Sequence, residues 1–195
     1  MRKTFAAMFV TAALLVTSFA HADEAPAAPA ATTEASTGAS ASGWFGSGMN
    51  DTGAHSRPFQ FSIMVGISPF AGFGLVPGIR LDIPILDDGF IPNLNDSLEI
   101  FVEVDAALYF GSLLGGFLIG IPVMAGVRWT LYFTDSIAGF VRGGGGISIF
   151  PQLFGLGAGI GGGGLGGLGV LFNLGAVTLR VETGYPGVLS VGLTF

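Results

Sequence analysis

The chain has 195 residues, of which 50% are hydrophobic and only 10% are charged, and it contains 34 glycines and no cysteine. Soluble domains carry about 25% charged residues and disordered chains are poor in apolar ones, so the composition fits neither class. A formal charge of -6 argues against the basic face of a nucleic-acid-binding protein, and the lack of cysteine excludes disulfides and thiolate metal sites. What remains is a membrane protein or an unusually apolar, glycine-rich one.

The start of the chain has the pattern of a secretory signal peptide, which we assign to residues 1–22. Arg2 and Lys3 are followed by an apolar stretch over residues 5–19 and by an A-x-A cleavage site at residues 20–22. The apolar stretch is short for a membrane-spanning helix of about 20 residues, which favours cleavage over an uncleaved anchor. The pattern therefore predicts an exported protein.

Residues 23–56 are dominated by Ala, Pro, Ser, Thr and Gly. Such a segment buries too little apolar surface to offset the entropy of ordering it, so we expect a disordered tail. Trp44 and Phe45 are its large aromatic residues. They could dock on a partner or at a membrane interface, but the composition favours two aromatic side chains in a mobile tail.

From residue 57 onwards, apolar residues alternate with polar or small ones. Successive side chains of a strand point to opposite faces, so each alternating segment has one apolar face and one polar or small face. Two further segments are too rich in glycine for clear alternation but complete the set. The eight predicted strands cover residues 59–68, 78–85, 98–110, 117–130, 137–150, 158–172, 177–182 and 189–195.

This length suits one particular architecture. Transmembrane strands need about 9–11 residues, and barrels built from them hold an even number of strands from 8 upwards. Residues 57–195 therefore predict an all-β fold, a transmembrane antiparallel up-and-down β-barrel of eight strands. A water-soluble barrel would need a more polar outer face. A pair of membrane helices over the uncharged residues 106–127 and 155–179 is disfavoured by their glycines and by the alternation that continues into them.

The end of the chain carries a family resemblance. Leu189, Val191, Leu193 and Phe195 alternate with small or polar residues, and this pattern resembles the C-terminal β-signal of bacterial outer-membrane barrels. Residues 57–195 as a whole resemble a small barrel of the OmpA/OmpX type. The resemblance implies a porin-like protein in contact with outer-membrane lipid. It also implies escort by periplasmic chaperones and insertion by the barrel-assembly machinery.

The positions of the aromatic residues agree with two membrane interfaces. The aromatic side chains that are predicted to face outwards fall near the ends of the strands, where the interfaces would lie. One predicted rim holds Phe59, Trp129, Phe133, Phe172 and Phe195, and the other holds Phe110 and Phe117.

The opposite parity places nine charged residues inside the barrel. The interior of an eight-stranded barrel is just wide enough for side chains to fill it, so these residues predict a structural plug of ion pairs. A narrow or gated polar pore is the alternative. The predicted lumen cluster is Arg80, Asp82, Glu99, Glu103, Asp105, Arg128, Arg142, Arg180 and Glu182.

The glycine runs at residues 143–146 and 161–164 relieve crowding inside the wall or, alternatively, open a lateral gap for a hydrophobic ligand. Catalysis has little support, because the one histidine after the cleavage site, His55, precedes the first strand. We therefore expect a structural or cell-envelope role with no catalysis, no cofactor, no metal and no nucleic-acid partner. The alternatives are a narrow channel, an OmpW-like lateral path for small hydrophobic molecules and, less favoured, a lipid-modifying barrel enzyme. The oligomeric state is left open.

Overall fold

The computed structural model describes residues 44–69, 73–111, 116–151 and 158–195, so the predicted signal peptide and residues 23–43 lie outside the described residues. The described residues form nine strand segments and no helix. They are β1 (Gln60–Ser68), β2 (Phe73–Leu86), β3 (Asp96–Asp105), β4 (Ala107–Phe110), β5 (Phe117–Tyr132), β6 (Ile137–Phe150), β7 (Gly159–Asn173), β8 (Thr178–Gly184) and β9 (Leu189–Thr194).

The nine segments make eight strands. β3 and β4 flank Ala106 and continue one another, because both keep the same register against β2 and against β5. Each strand pairs antiparallel with the next one along the chain, and β1 also pairs with β9. The prediction of a closed, eight-stranded, up-and-down barrel is therefore confirmed. In the part of the chain that the structure describes, no helix has the length and apolar character to cross a membrane.

Side chains alternate between the two faces of the wall as the period of two predicts. β1 shows this most simply, because its residues are buried and exposed in strict turn from Gln60 to Ser68. β5 keeps the inward parity on even-numbered residues over 16 positions. The inward side chains are mostly polar or small, and the large outward ones are apolar. The apolar face of the strands is therefore the outer face of the barrel.

The strand connections define two ends of the barrel. The first end holds the start of β1 and the connections over residues 87–95, 133–136 and 174–177, and the second end holds the opposite ends of the strands. Phe59, Phe133 and Phe195 are exposed at the first end, and Phe110 and Phe117 at the second. These aromatic residues therefore lie at the strand ends where the sequence predicted them.

β2 begins earlier than its predicted start at residue 78. Phe73 and Leu75 lie on the outer face and Val76 is buried inside. Gly74, Pro77 and Gly78 interrupt the apolar pattern there, which hid the first part of this strand.

Glycine residues bring β5 and β6 unusually close together. A Cβ atom added to Gly144 would lie 2.2 Å from the carbonyl oxygen of Ala125 and 2.6 Å from the Cα atom of Gly126. Gly143, the next residue, faces outwards and has no atom within 4 Å of such a Cβ. The inward glycines of β6 therefore permit a close approach between the strands.

The predicted disordered tail is wrong for residues 44–56. These residues are ordered against the first end of the barrel, and the side chain of Phe45 is completely buried. Phe45 packs against Tyr132, Phe140 and Leu171, with Trp44 beside them. We call residues 44–56 the N-terminal cap.

Candidate functional site in the barrel lumen

The lumen holds all nine charged residues that the sequence placed there. Each is at most 6% exposed, and together they form two layers along the barrel. The Arg80 layer consists of Arg80, Arg142, Glu103 and Glu182. The Arg128 layer consists of Arg128, Arg180, Asp82 and Glu99 and lies nearer the first end. Asp105 is the ninth residue.

In the Arg80 layer, two arginines share two glutamates. Arg80 donates from Nε to Glu103 at 2.7 Å and from Nη1 and Nη2 to the two carboxylate oxygens of Glu182 at 2.8 and 2.7 Å. Arg142 donates to the same Glu103 at 2.7 Å and to the same Glu182 at 2.8 Å. Because the charges of the four groups cancel, this layer forms a neutral, closed cross-link between β2, β3, β6 and β8.

In the Arg128 layer, Arg128 bridges two acids from different strands. Its guanidinium lies 3.2 Å from Glu99 and 3.0 Å from Asp82, and it also donates to the side-chain oxygen of Gln60 at 3.0 Å. Arg180 donates to Asp82 at 2.8 Å. This layer is also balanced, with two cations and two anions.

Each layer also packs against one phenylalanine ring. The guanidinium carbons of Arg80 and Arg142 lie 5.3 and 5.6 Å from the ring centre of Phe101. Those of Arg128 and Arg180 lie 5.5 and 5.4 Å from the ring centre of Phe140. Cations within about 6 Å of an aromatic ring centre are attracted to its π face, so the rings help to hold the arginines in place.

Asp105 differs from the other four acids. Among the described residues it has no cationic side chain within 4.0 Å, and its Oδ2 atom has no hydrogen-bond partner. It lies beside Glu103, which already pairs with both arginines of the Arg80 layer. Of the five acids that the sequence placed in the lumen with four arginines, four are thus paired with arginines and the fifth, Asp105, is not.

The first end of the lumen is closed by residues that the sequence analysis did not select. Arg57 is buried with its guanidinium 3.8 Å from the ring centre of Tyr132, and it donates to the backbone carbonyl of Trp44. It also donates to the side-chain oxygen of Asn95 at 2.6 Å, and Asn95 in turn donates to the backbone carbonyl of Phe45 at 2.8 Å. Arg57 and Asn95 therefore hold the N-terminal cap in the barrel mouth. In the sequence, the one indication of this contact was the aromatic pair Trp44 and Phe45 followed by the isolated Arg57.

His55 belongs to the N-terminal cap and not to a catalytic arrangement in the lumen. Its Nδ1 atom lies 2.8 Å from Asp88, and its Nε2 atom lies 3.4 Å from Asp51. The Asp51 carboxylate accepts hydrogen bonds from the backbone N–H groups of Ser47 and Gly53 and from the Ser47 hydroxyl. These hydrogen bonds hold the pKa of Asp51 well below its usual range. The cap is thus fastened to the loop after β2 by a polar cluster.

The residues of the predicted β-signal lie on the outer face of the last strand and just after it. Leu189, Val191, Leu193 and Phe195 are between 42% and 58% exposed and continue the apolar surface of β1. Their recognition by an assembly machinery stays a prediction.

The charged side chains of the lumen form a network that cross-links the strands. Four of the five acids are held by arginines, and no three His, Cys, Asp or Glu side chains in the described residues are arranged to hold a metal. Buried ion pairs of this kind contribute little net stability, but they penalise any strand register that separates the partners.

Comparison with known proteins adds no assignment. Neither a scan against protein-family models nor a search of curated proteins found a significant match, so the interpretation of this chain depends on its sequence pattern and its geometry.

Proposed function

We propose that this protein is an integral outer-membrane β-barrel with a structural role in the cell envelope and without catalysis. The observation that carries the proposal is the two-sided wall. Large apolar side chains cover its outer face, and paired charges and polar groups fill its interior.

The outer face argues for lipid as the surrounding medium. Outward-facing apolar residues on four different strands, Ile63, Val65, Ile79, Val102 and Val127, are each between 43% and 54% exposed. A contiguous apolar surface of this kind is rare on a soluble monomer, because it favours aggregation in water. Closure of the sheet satisfies the backbone hydrogen bonds, which is the condition for crossing hydrocarbon.

The interior argues for a closed barrel and against transport through the centre. The two charged layers span the lumen from wall to wall, and Phe45 with Tyr132 fills the first end behind them. An ion would have to break buried arginine–carboxylate pairs to pass. A structural role therefore fits the interior better than a narrow channel does.

The location is tested by expressing the full chain in a Gram-negative host and separating its membranes. We expect the protein in the outer-membrane fraction, shortened by removal of residues 1–22. Unheated samples should migrate differently from boiled ones on SDS gels, with a β-type circular dichroism spectrum. A protein that stays monomeric in buffer without detergent would contradict the proposal.

The closed lumen is tested by conductance in planar bilayers. Flotation with liposomes first establishes that the purified protein is in the bilayer. We expect no conductance steps in simple salts. Reproducible steps would instead support the narrow channel and contradict a purely structural role.

A further inference from the structure

A cavity of about 170 Å³ lies inside the barrel between the Arg80 layer and the second end. Met124, Ser148, Phe150 and Tyr185 line it together with the backbone of residues 161–163. Tyr185 also packs with Phe101, Met124 and Leu165. The function proposed above uses none of this space.

The cavity exists because one part of the wall has no side chains. Gly161 and Gly163 take the inward positions of β7, and a Cβ atom added to Gly163 would meet nothing within 4 Å. Gly146, which pairs with Gly163, is different, because a Cβ there would lie 2.1 Å from the carbonyl oxygen of Val123. Close approach of β5 and β6 therefore requires the glycine at 146 but does not explain the one at 163.

The lining has one polar feature in otherwise apolar surroundings. The hydroxyl oxygens of Ser148 and Tyr185 lie 3.4 Å apart, beside the thioether of Met124 and the ring of Phe150. A hydroxyl group has one donor and two acceptor positions, so this pair can also bond a third hydroxyl. Arg142 donates to the backbone carbonyl of Tyr185 at 3.3 Å, which helps to position that residue.

None of the side chains that line the cavity carries a charge. Arg80 and Arg142 are both paired with Glu103 and Glu182, so neither offers an unpaired charge to an anion. The ligand that fits is neutral, mainly apolar and equipped with one hydroxyl group. Cavities of roughly 150 Å³ hold a molecule the size of benzene, which sets the size.

We propose that this cavity binds a small neutral aromatic alcohol of the size of phenol. The ring lies against Met124, Phe150 and the bare wall at Gly163, and its hydroxyl group bonds the pair formed by Ser148 and Tyr185. The inference goes beyond a structural role. It requires the barrel but does not depend on where the barrel resides in the cell.

The test is titration of the full-length protein in detergent with 4-fluorophenol, followed by ¹⁹F NMR. Gly163→Leu fills the cavity, and Gly164→Leu is the matched control, because residue 164 faces outwards and its added Cβ would meet only an ordinary contact at 3.7 Å. We expect saturable binding to the parent and to Gly164→Leu, and at least about tenfold weaker binding to Gly163→Leu. Heat-modifiable migration checks that each variant is folded.

If Gly163→Leu does not fold, Gly161→Leu takes its place, since residue 161 lines the same cavity and its added Cβ would meet only an ordinary contact at 3.8 Å. Absence of saturable binding beyond that of protein-free micelles would overturn the proposal. So would equal binding by the parent and the folded leucine variant that fills the cavity, because the probe would then lie elsewhere.

The hydroxyl pair is tested with fluorobenzene, which has no hydroxyl group. We expect the parent to prefer 4-fluorophenol by about three- to tenfold, the usual worth of one hydrogen bond. Tyr185→Phe should reduce this preference while it leaves fluorobenzene binding unchanged. A preference that survives both Tyr185→Phe and Ser148→Ala would contradict the assigned orientation.

Discussion

At the scale of single residues, Arg128 is a lumen cation whose partners come from three different strands. It is completely buried and joins Glu99, Asp82 and Gln60 from three strands. Removing one partner of a buried ion pair leaves the other charge uncompensated, which costs more than the pair itself contributes.

We therefore predict that Arg128→Ala lowers the free energy of unfolding by about 3–5 kcal/mol. Urea unfolding in detergent, followed by heat-modifiable migration, measures the change. Val127→Ala is the control, because its side chain lies on the outer face and touches no lumen charge. An unchanged stability of Arg128→Ala would argue against the arrangement of the Arg128 layer.

Asp51 gives the N-terminal cap a defined dependence on pH. Its folded-state pKa is lowered by hydrogen bonds from Ser47 and Gly53, so its stabilising effect is complete above the ordinary aspartate pKa of about 3.9 and is lost as the pH falls through the lower folded value. We predict that Asp51→Asn loosens the cap at pH 7. The difference from the parent should shrink progressively below about pH 4.

The fluorescence of Trp44, which packs edge-on against Phe45 and Tyr132, reports the state of the cap. Trp44→Phe supplies the background signal of Trp129. A difference between parent and Asp51→Asn that stays constant from pH 7 to pH 2 would contradict the assigned role of Asp51.

At the scale of elements, the glycines of β6 have different roles on the two faces of one strand. Gly144 faces inwards against the backbone of β5, and Gly143 faces outwards into open space. We predict that Gly144→Ala destabilises the barrel by at least about 1–3 kcal/mol, because the strands must separate to admit a methyl group.

Gly143→Ala is the matched control and should be neutral or up to about 1 kcal/mol more stable, since it only restricts the unfolded chain. Folding yield from urea into detergent and the urea midpoint measure both variants. Equal effects of the two substitutions would show that the close approach of β5 and β6 is not what requires glycine.

At the scale of the whole molecule, the proposed membrane location has a depth-dependent consequence. Val102 lies near the middle of the strand made by β3 and β4 and faces outwards, whereas Phe59 lies at the first end. An arginine facing lipid costs about 2–4 kcal/mol at the midplane of a bilayer and about 0–1 kcal/mol near the interface.

We predict that Val102→Arg destabilises the barrel in liposomes by that larger amount and that Phe59→Arg has little effect. Reversible unfolding from liposomes in denaturant is the measurement. If both arginines are tolerated equally, the outer face is not in contact with a hydrocarbon core.

The period of two was readable because it belongs to each strand separately. Alternation assigns every residue of β1, β5 and β9 to one face without reference to any other strand. Six such segments and two glycine-rich ones together match the strand number of a closed antiparallel barrel. The signal failed where glycine and proline interrupt it, as at the start of β2. Composition also failed for Trp44 and Phe45, because it describes the average of a segment and not the docking of two aromatic side chains.

By itself, the sequence determined which side chains face inwards and that four arginines would meet five acids. Only the tertiary structure decided that Arg80 pairs with Glu103 and Glu182 while Asp105 is left over, that Arg57 and Asn95 hold Phe45 in the barrel mouth, and that the wall at Gly163 borders a cavity. These contacts join residues from strands far apart in the chain, with Arg80 and Glu182 separated by 102 positions. The stagger of the closed sheet sets such distances, and stagger leaves no periodic mark in the sequence.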